Sequence, residues 1–242
     1  NDRDQAKESE ERFSARIENE AKKLHEQFIA GLLIMDTREG LVTEPGNQVR
    51  RSLEQINHDF DLTFKSGLFQ AFVVKADVHF DSLNANVRKL LTEKSMGVVR
   101  DALVAKCHSC VLYPTDHGIY GVVNFGEEHK KALRRALLAV IDELQSQSEL
   151  FDRIKVTIGL GRLSEDINEM SASISEAECA VANRLVSGAG RVIEKTGGQE
   201  SAEIVNQIVT ATVRSRFLQG VEILDDTEIR AVFAGVASVV AA

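Results

Sequence analysis

Ser109-Cys110-Val111-Leu112-Tyr113-Pro114, then Thr115-Asp116-His117, then Gly118-Ile119-Tyr120-Gly121-Val122-Val123-Asn124-Phe125 is the stretch whose reading decides the fold. Two runs rich in β-branched and aromatic residues flank a short polar link that ends in glycine, and that pattern predicts a β-hairpin. Upstream, Phe69-Gln70-Ala71-Phe72-Val73-Val74 reads as a buried strand. Leu83 to about Lys106 follows as an amphipathic helix, with Val87, Leu90, Leu91, Val98, Val99 and Leu103 on its apolar face. Downstream, Glu127 to Glu149 reads as a helix burying Leu133, Leu137, Val140, Ile141 and Leu144. Ile154 to Gly159 reads as a strand, and Ser164 to about Leu185 as a helix that Ser164 initiates, with Asp166 in its first turn. A short strand, Arg191 to Glu194, follows Gly188-Ala189-Gly190. This order predicts an α/β sandwich, a sheet that carries an antiparallel hairpin and is flanked by helices.

On either side of this core the chain reads as helix. From residue 1 to about 35, Phe13, Ile17, Ala21, Leu24, Phe28 and Leu32 recur every three or four positions among Glu, Lys and Arg. Such a stripe needs a partner face: either it pairs with another chain as a dimerising coiled coil, or it docks on its own domain. Gly40 and Glu44-Pro45-Gly46 break the helix. A second helix places Val49, Leu53 and Ile56 on one face, and Phe60, Leu62 and Phe64 then alternate up to the Ser66-Gly67 turn. After Thr196-Gly197-Gly198, helices are expected from Ala202 to about Gly220 and from Asp226 to the end. The last of these, Val232 to Ala242, is apolar on most sides and is expected to dock on the N-terminal helices or on a second subunit. The expected division is a helical stalk over 1–66, an α/β domain over 67–196 and a C-terminal helical segment over 197–242.

Composition narrows the function. With 29 Lys+Arg against 37 Asp+Glu the net charge is −8, the wrong sign for a surface that neutralises phosphates. With aromatic residues at 5% and no Trp, platforms for stacking bases are few. No run approaches the roughly 20 apolar residues of a membrane helix, and the charged start Asn1-Asp2-Arg3-Asp4 is unlike a signal peptide, so no membrane partner and a cytoplasmic location are expected. Three cysteines, Cys107, Cys110 and Cys179, are an odd count and argue against a disulfide framework.

Three segments carry a family resemblance: Asn57 to Phe69 leading into Val73-Val74-Lys75-Ala76-Asp77; Thr157-Ile158-Gly159-Leu160-Gly161 running into Ser173-Ile174-Ser175-Glu176-Ala177; and Ala182-Asn183-Arg184-Leu185 with Gly188, Gly190, Arg191 and Val192. They resemble the degenerate GGDEF-like, nucleotide-cyclase-like domains in the middle of AraC/YesN-type two-component response regulators. The resemblance implies a larger parent protein, with a receiver domain before residue 1, phosphorylated by an upstream histidine kinase, and a helix-turn-helix domain after residue 242 through which the parent binds DNA. A homodimer is expected from the N-terminal stripe, with Phe13, Ile17, Leu24 and Phe28 as its candidate dimer face.

Cyclase chemistry requires two divalent cations held on carboxylates and a Gly-Gly hairpin that lets the backbone approach the nucleotide. Here the hairpin tip is Thr115-Asp116-His117-Gly118, without the glycine pair or the acidic pair. The family's paired aspartates align with Lys75 and Asp77, so one carboxylate has become a cation able to pair with its neighbour. No catalytic or metal-ligating residue and no cofactor is therefore assigned, and the function expected is regulatory. The alternative is a small-molecule or nucleotide sensor with a vestigial cleft formed by Lys75, Asp77, Gly159, Gly161 and Arg162, the Gly-x-Gly cradling a phosphate with Arg162 as counter-ion. The plainer reading of the glycines is a sharp turn at the strand end. An active cyclase is the third reading.

Other motifs have structural readings. Cys107-His108-Ser109-Cys110 has the spacing of a zinc or redox pair, but no second pair exists, and packing at a strand start accounts for it. Lys130-Lys131 and Arg134-Arg135 make a basic stripe that reads as a solvated helix face. Ser171, Ser173 and Ser175 fall in a helix without a nucleophile-elbow motif.

Overall fold

Why the hairpin forms is visible at its tip, in a computed structural model that describes residues 2–39, 50–77, 85–146, 154–194, 211–222 and 226–240. Strand β2 (Ser109–Thr115) and strand β3 (Gly118–Phe125) pair antiparallel around Asp116-His117. Thr115 Oγ1 accepts from the His117 N–H at 3.1 Å and donates to the Gly118 carbonyl at 3.1 Å. Gly118 has φ +147°, and a Cβ there would lie 2.6 Å from the Val74 carbonyl oxygen, so the residue that closes the hairpin must be glycine. β2 is an edge strand, which accommodates Pro114.

Strand β1 (Leu68–Asp77) lies between β3 and strand β4 (Lys155–Ser164), antiparallel to both. The short strand β5 (Val192–Glu194) adds to β4 in parallel, giving the sheet order β2-β3-β1-β4-β5. Strand alternation sends Phe72 and Val74 to one face of the sheet and Phe69, Ala71 and Val73 to the other, so each face builds its own core. On the first face lie helix α3 (Ala85–Leu103) and helix α4 (Lys130–Ser146), which is preceded by a 3₁₀ turn, Glu127–His129. α4 buries Leu133, Ala136, Leu137, Val140, Ile141 and Leu144, the face its spacing predicts. In α3, Leu90 departs from expectation and is exposed, while Leu91, Val99 and Leu103 are buried.

Helix α1 (Asp2–Glu39), helix α2 (Leu53–Phe60) and helix α5 (Met170–Ala182) cover the second face. α2 is short and depends on its ends. Ser52 Oγ accepts from the Gln55 N–H and Gln55 Oε1 accepts from the Ser52 N–H, a reciprocal cap, and Asp61 at φ 52° stops the helix. Phe60, Leu62 and Phe64 form no strand. They fold inward, and Phe28, Phe60, Phe64 and Phe69 make a chain of ring contacts at 5.4–5.8 Å from α1 to β1.

Two expectations change. First, residues 1–66 are not a separate stalk: the second half of α1, α2 and the Phe64 region are buried in the same core as the sheet, within one compact unit that runs through Lys195. Second, the helix expected from Ser164 starts six residues later. β4 runs through Ser164, Asp166 caps a 3₁₀ turn (Ile167–Glu169) with its carboxylate accepting from the Asn168 N–H at 2.9 Å, and α5 begins at Met170. α5 stops at Ala182, and a separate turn of helix, α6 (Arg184–Ser187), follows Asn183. The apolar C-terminal segment lies in a second compact unit, Thr196–Ala242, where Val232 is buried and Phe233 is 60% exposed. There helix α7 (Ala211–Glu222) meets helix α8 (Asp226–Val240) through Phe217 and Phe233, rings 5.6 Å apart, and through Arg216 Nε and Glu228 Oε1 at 2.7 Å. Val49, Leu83, the Gly40 and Glu44-Pro45-Gly46 breaks, Thr196-Gly197-Gly198 and the start of the helix expected at Ala202 lie outside the described residues. The architecture is a mixed α+β sandwich, a five-stranded sheet flanked by helices, as the order of elements predicts.

Candidate functional site

The expected cleft begins at the end of β1. Its register sets Lys75 opposite Thr157 and Asp77 opposite Lys155 on β4, and Val74 opposite Ile119 at the start of β3. Asp77 is held by Arg184 rather than by Lys75: Nε meets Oδ2 at 2.8 Å and Nη2 meets Oδ1 at 3.1 Å, while Nη1 donates to the Val181 carbonyl at 3.0 Å. The planar guanidinium fork satisfies both carboxylate oxygens at once, which a lysine ammonium cannot match. Arg184 opens α6, the turn of helix that follows α5, 107 residues further along the chain. Lys75 is half-buried on the same strand.

Gly159, Gly161 and Arg162 make neither a phosphate cradle nor a turn. Both glycines lie inside β4, and α5 crosses directly over them. A Cβ at 159 would overlap the Ala177 carbonyl oxygen and come within 2.6 Å of Val181 Cγ2. One at 161 would overlap the Ser173 carbonyl oxygen and lie 2.6 Å from its carbonyl carbon. The glycines are where strand and helix backbones touch, so the space over them is already filled. Opposite Ala71 the register slips, Gln70 pairing with Leu163 and Phe72 with Leu160, so Gly161 and Arg162 form a bulge. Ser173 Oγ bridges it, accepting from the Ala71 N–H at 3.1 Å and donating to the Arg162 carbonyl at 2.8 Å. Gln70 Nε2 donates to the Gly161 carbonyl at 2.9 Å. Arg162 is bound to Glu176, side chain to side chain at 2.9 Å and backbone N–H to carboxylate at 2.9 Å. The five expected cleft residues are thus divided between the end of β1 and the stretch of β4 under α5.

A further ionisable pair lies on this face. Tyr120 donates to Glu178 Oε1 at 2.6 Å; burial first, then the adjacent carboxylate, raises the phenol above its usual range. On the opposite face burial raises both Cys110 and Cys107, the Cys107 thiol donating to the Leu103 carbonyl at 3.2 Å, so both are kept as thiols. Both are free, and among the described residues no group of three or more His, Cys, Asp or Glu side chains is arranged to hold a metal. Lys130, Lys131, Arg134 and Arg135 are exposed, with Lys130 near Glu127 at 3.6 Å and Arg134 on Glu194.

The α1 stripe divides in two. Phe28 is 4% exposed and Ile29 fully buried, and Leu24 is half-buried, whereas Phe13 is 65% and Ile17 52% exposed. The second half of the helix therefore docks on its own domain, while Phe13 and Ile17 in the first half are uncovered. Arg184, Glu176 and Ser173 were missed as partners because nothing local distinguishes them from other polar residues of a helix.

No protein-family model and no curated protein matches this sequence. Among solved structures, the chain is similar to the active GGEEF domain of a diguanylate cyclase from Vibrio cholerae, at 8% identity and a TM-score of 0.40, over 55% of this chain and 85% of that one.

Proposed function

We propose that this chain is a non-catalytic signal-relay and dimerisation module of a bacterial response-regulator transcription factor. In this reading, a receiver domain under an upstream histidine kinase and a DNA-binding helix-turn-helix domain belong to the parent protein outside these 242 residues, and the parent works in the cytoplasm. One observation carries the proposal: α1 is anchored and exposed on the same stripe. Phe28, Ile29 and Leu32 are built into the core, while Phe13 and Ile17, about 22 and 16 Å away along the helix at ~1.5 Å per residue, are uncovered. A second copy of α1 covers them, and a rotation or shift of that helix pair is transmitted to the sheet through the Phe28–Phe64–Phe69 contacts.

The paired side chains support the non-catalytic part. A carboxylate gripped by a guanidinium on both oxygens is poorly placed to bind a divalent cation, and Asp77 is in that state. No helix is long and apolar enough to cross a membrane among the described residues. Sedimentation of the chain across a concentration series tests the relay. Reversible dimerisation that Phe13→Asp with Ile17→Asp abolishes is expected, and a strict monomer at high concentration overturns it. A cyclic product from GTP with Mg²⁺ or Mn²⁺ overturns the non-catalytic assignment.

A further inference from the structure

Between α1, α2 and the 3₁₀ turn that precedes α5 lies a cavity of about 180 Å³. Phe28, Leu32, Ile56, Phe60 and Ile167 make its walls. Polar side chains interrupt this apolar lining at three places, Ser171, Asn168 and the Arg50–Arg51 pair. Ser171 faces the cavity from α5, is only 7% exposed, and its hydroxyl makes no hydrogen bond among the described residues. The hydroxyl is not sealed from solvent; it opens into the cavity, where a ligand atom can meet it. At the rim stand Arg50 and Arg51. The Arg51 guanidinium lies 5.9 Å over the Phe60 ring and 3.6 Å from Asp59, a loose and half-exposed pair. The rim itself is fixed: Asn168 accepts from the Arg51 N–H at 3.1 Å and donates to the Arg51 carbonyl at 3.1 Å and to Asp166 Oδ1 at 2.8 Å.

We propose that this cavity is a binding site for a monocyclic aromatic carboxylate that carries a ring hydroxyl. The volume suits one ring, being close to that of a ~150 Å³ apolar cavity that takes benzene. The ring lies among Phe28, Ile56 and Ile167, the ring hydroxyl reaches Ser171, and the carboxylate meets the Arg50 and Arg51 guanidiniums, which recognise planar anions through paired N–H groups. Because Phe28 and Leu32 belong to the buried half of α1, occupancy stiffens the docking of that helix. The binding claim does not depend on the relay reading.

Gly31 provides the test. It lines the cavity from α1, and a Cβ there would meet nothing within 4 Å, so Gly31→Leu fills the space from a helical position that tolerates a side chain. The full chain is titrated with 4-hydroxybenzoate, benzoate and benzyl alcohol by calorimetry and ligand-observed NMR. Saturable binding in the order 4-hydroxybenzoate, benzoate, benzyl alcohol is expected. Gly31→Leu should abolish it with a Tm no lower than the parent's. Ser171→Ala should weaken 4-hydroxybenzoate about tenfold, as loss of one buried hydrogen bond implies, while leaving benzoate unchanged, and it decides the matter if Gly31→Leu does not fold. Arg50→Gln with Arg51→Gln should remove the preference for the two acids over the alcohol. No saturable binding at ~10 mM ligand, undiminished binding to folded Gly31→Leu, or equal loss of both acids in Ser171→Ala would each overturn the proposal.

Discussion

Replacing Gly161 by alanine adds one methyl group where strand β4 touches helix α5. The backbone conformation is not the obstacle, since φ at 161 lies outside the left-handed region; the obstacle is that the new carbon would sit 2.6 Å from the Ser173 carbonyl carbon. Ordinary carbon contacts are about 3.5–4.0 Å, so α5 must back away by about 1 Å. That displacement loosens Met170, Ile174, Ala177 and Val181, all buried against the sheet, and a gap of 0.5–1 Å forfeits roughly a quarter to a half of each contact. It also strains the two hydrogen bonds of Ser173 Oγ, worth about 1 kcal/mol each. Adding about 1–3 kcal/mol for overpacking gives a loss of about 3–5 kcal/mol, or a fall in Tm of roughly 6–20 °C for a unit of this size. Near-UV circular dichroism during urea unfolding reads this cleanly: the chain has no Trp, and its two tyrosines, Tyr113 and Tyr120, both lie in the hairpin of the first unit. Gly31→Ala is the control, a helical glycine with open space at its Cβ, and should gain about 1 kcal/mol. A Gly161→Ala protein within about 0.5 kcal/mol of the parent would refute the assignment of this glycine to helix–strand contact.

Further outcomes follow from other buried or paired groups. Asn124 is fully buried; its carboxamide accepts from the Lys65 N–H at 2.7 Å and donates to the Lys65 and Leu68 carbonyls at 2.9 and 3.2 Å, so Asn124→Ala should cost about 2–4 kcal/mol in urea unfolding. Tyr120 is raised by burial and by Glu178, so the folded state favours the protonated phenol. The stability from this group is present below the ordinary phenol pKa of about 10 and is lost as pH climbs above it; a pH series of unfolding curves should show that loss, and Tyr120→Phe should remove it. Asp166 is lowered by the Asn168 backbone N–H and then by its side chain, so its contribution is held above the ordinary carboxyl range near pH 4 and lost as pH falls below it, a dependence that Asp166→Asn should flatten. In timed alkylation followed by peptide mass mapping, exposed Cys179 should react before Cys107 and Cys110, whose thiols burial protects.

Sequence reasoning worked where the information is local and periodic. The hairpin around Asp116-His117 and the buried face of α4 both follow from residues within a few positions of one another. It failed where distant segments decide the outcome. Gly159 and Gly161 look the same in sequence whether a phosphate, a turn or a helix lies above them, and only the path of α5 distinguishes these. Lys75 was the nearest cation to Asp77 along the chain, but the ion pair went to Arg184, whose fork geometry fits and whose approach depends on where α5 ends. The bulge at Gly161-Arg162 shifts strand register by one residue, a change with no compositional signature until Ala71 stands opposite it. The cavity beside Gly31 was equally hidden, because its walls come from three helical segments that meet only after folding.

Pulsed electron–electron resonance on a spin label at Arg16→Cys, in a background with Cys107, Cys110 and Cys179 replaced, tests the relay claim most directly. Arg16 is exposed and lies between Phe13 and Ile17 on α1. If two copies pair through this half of the helix, axes ~8–10 Å apart plus the label arms place the two spins on the order of 20–30 Å from each other, and Phe13→Asp with Ile17→Asp erases the signal. A sample that stays free of any such dipolar distance at high protein concentration would contradict dimerisation through α1.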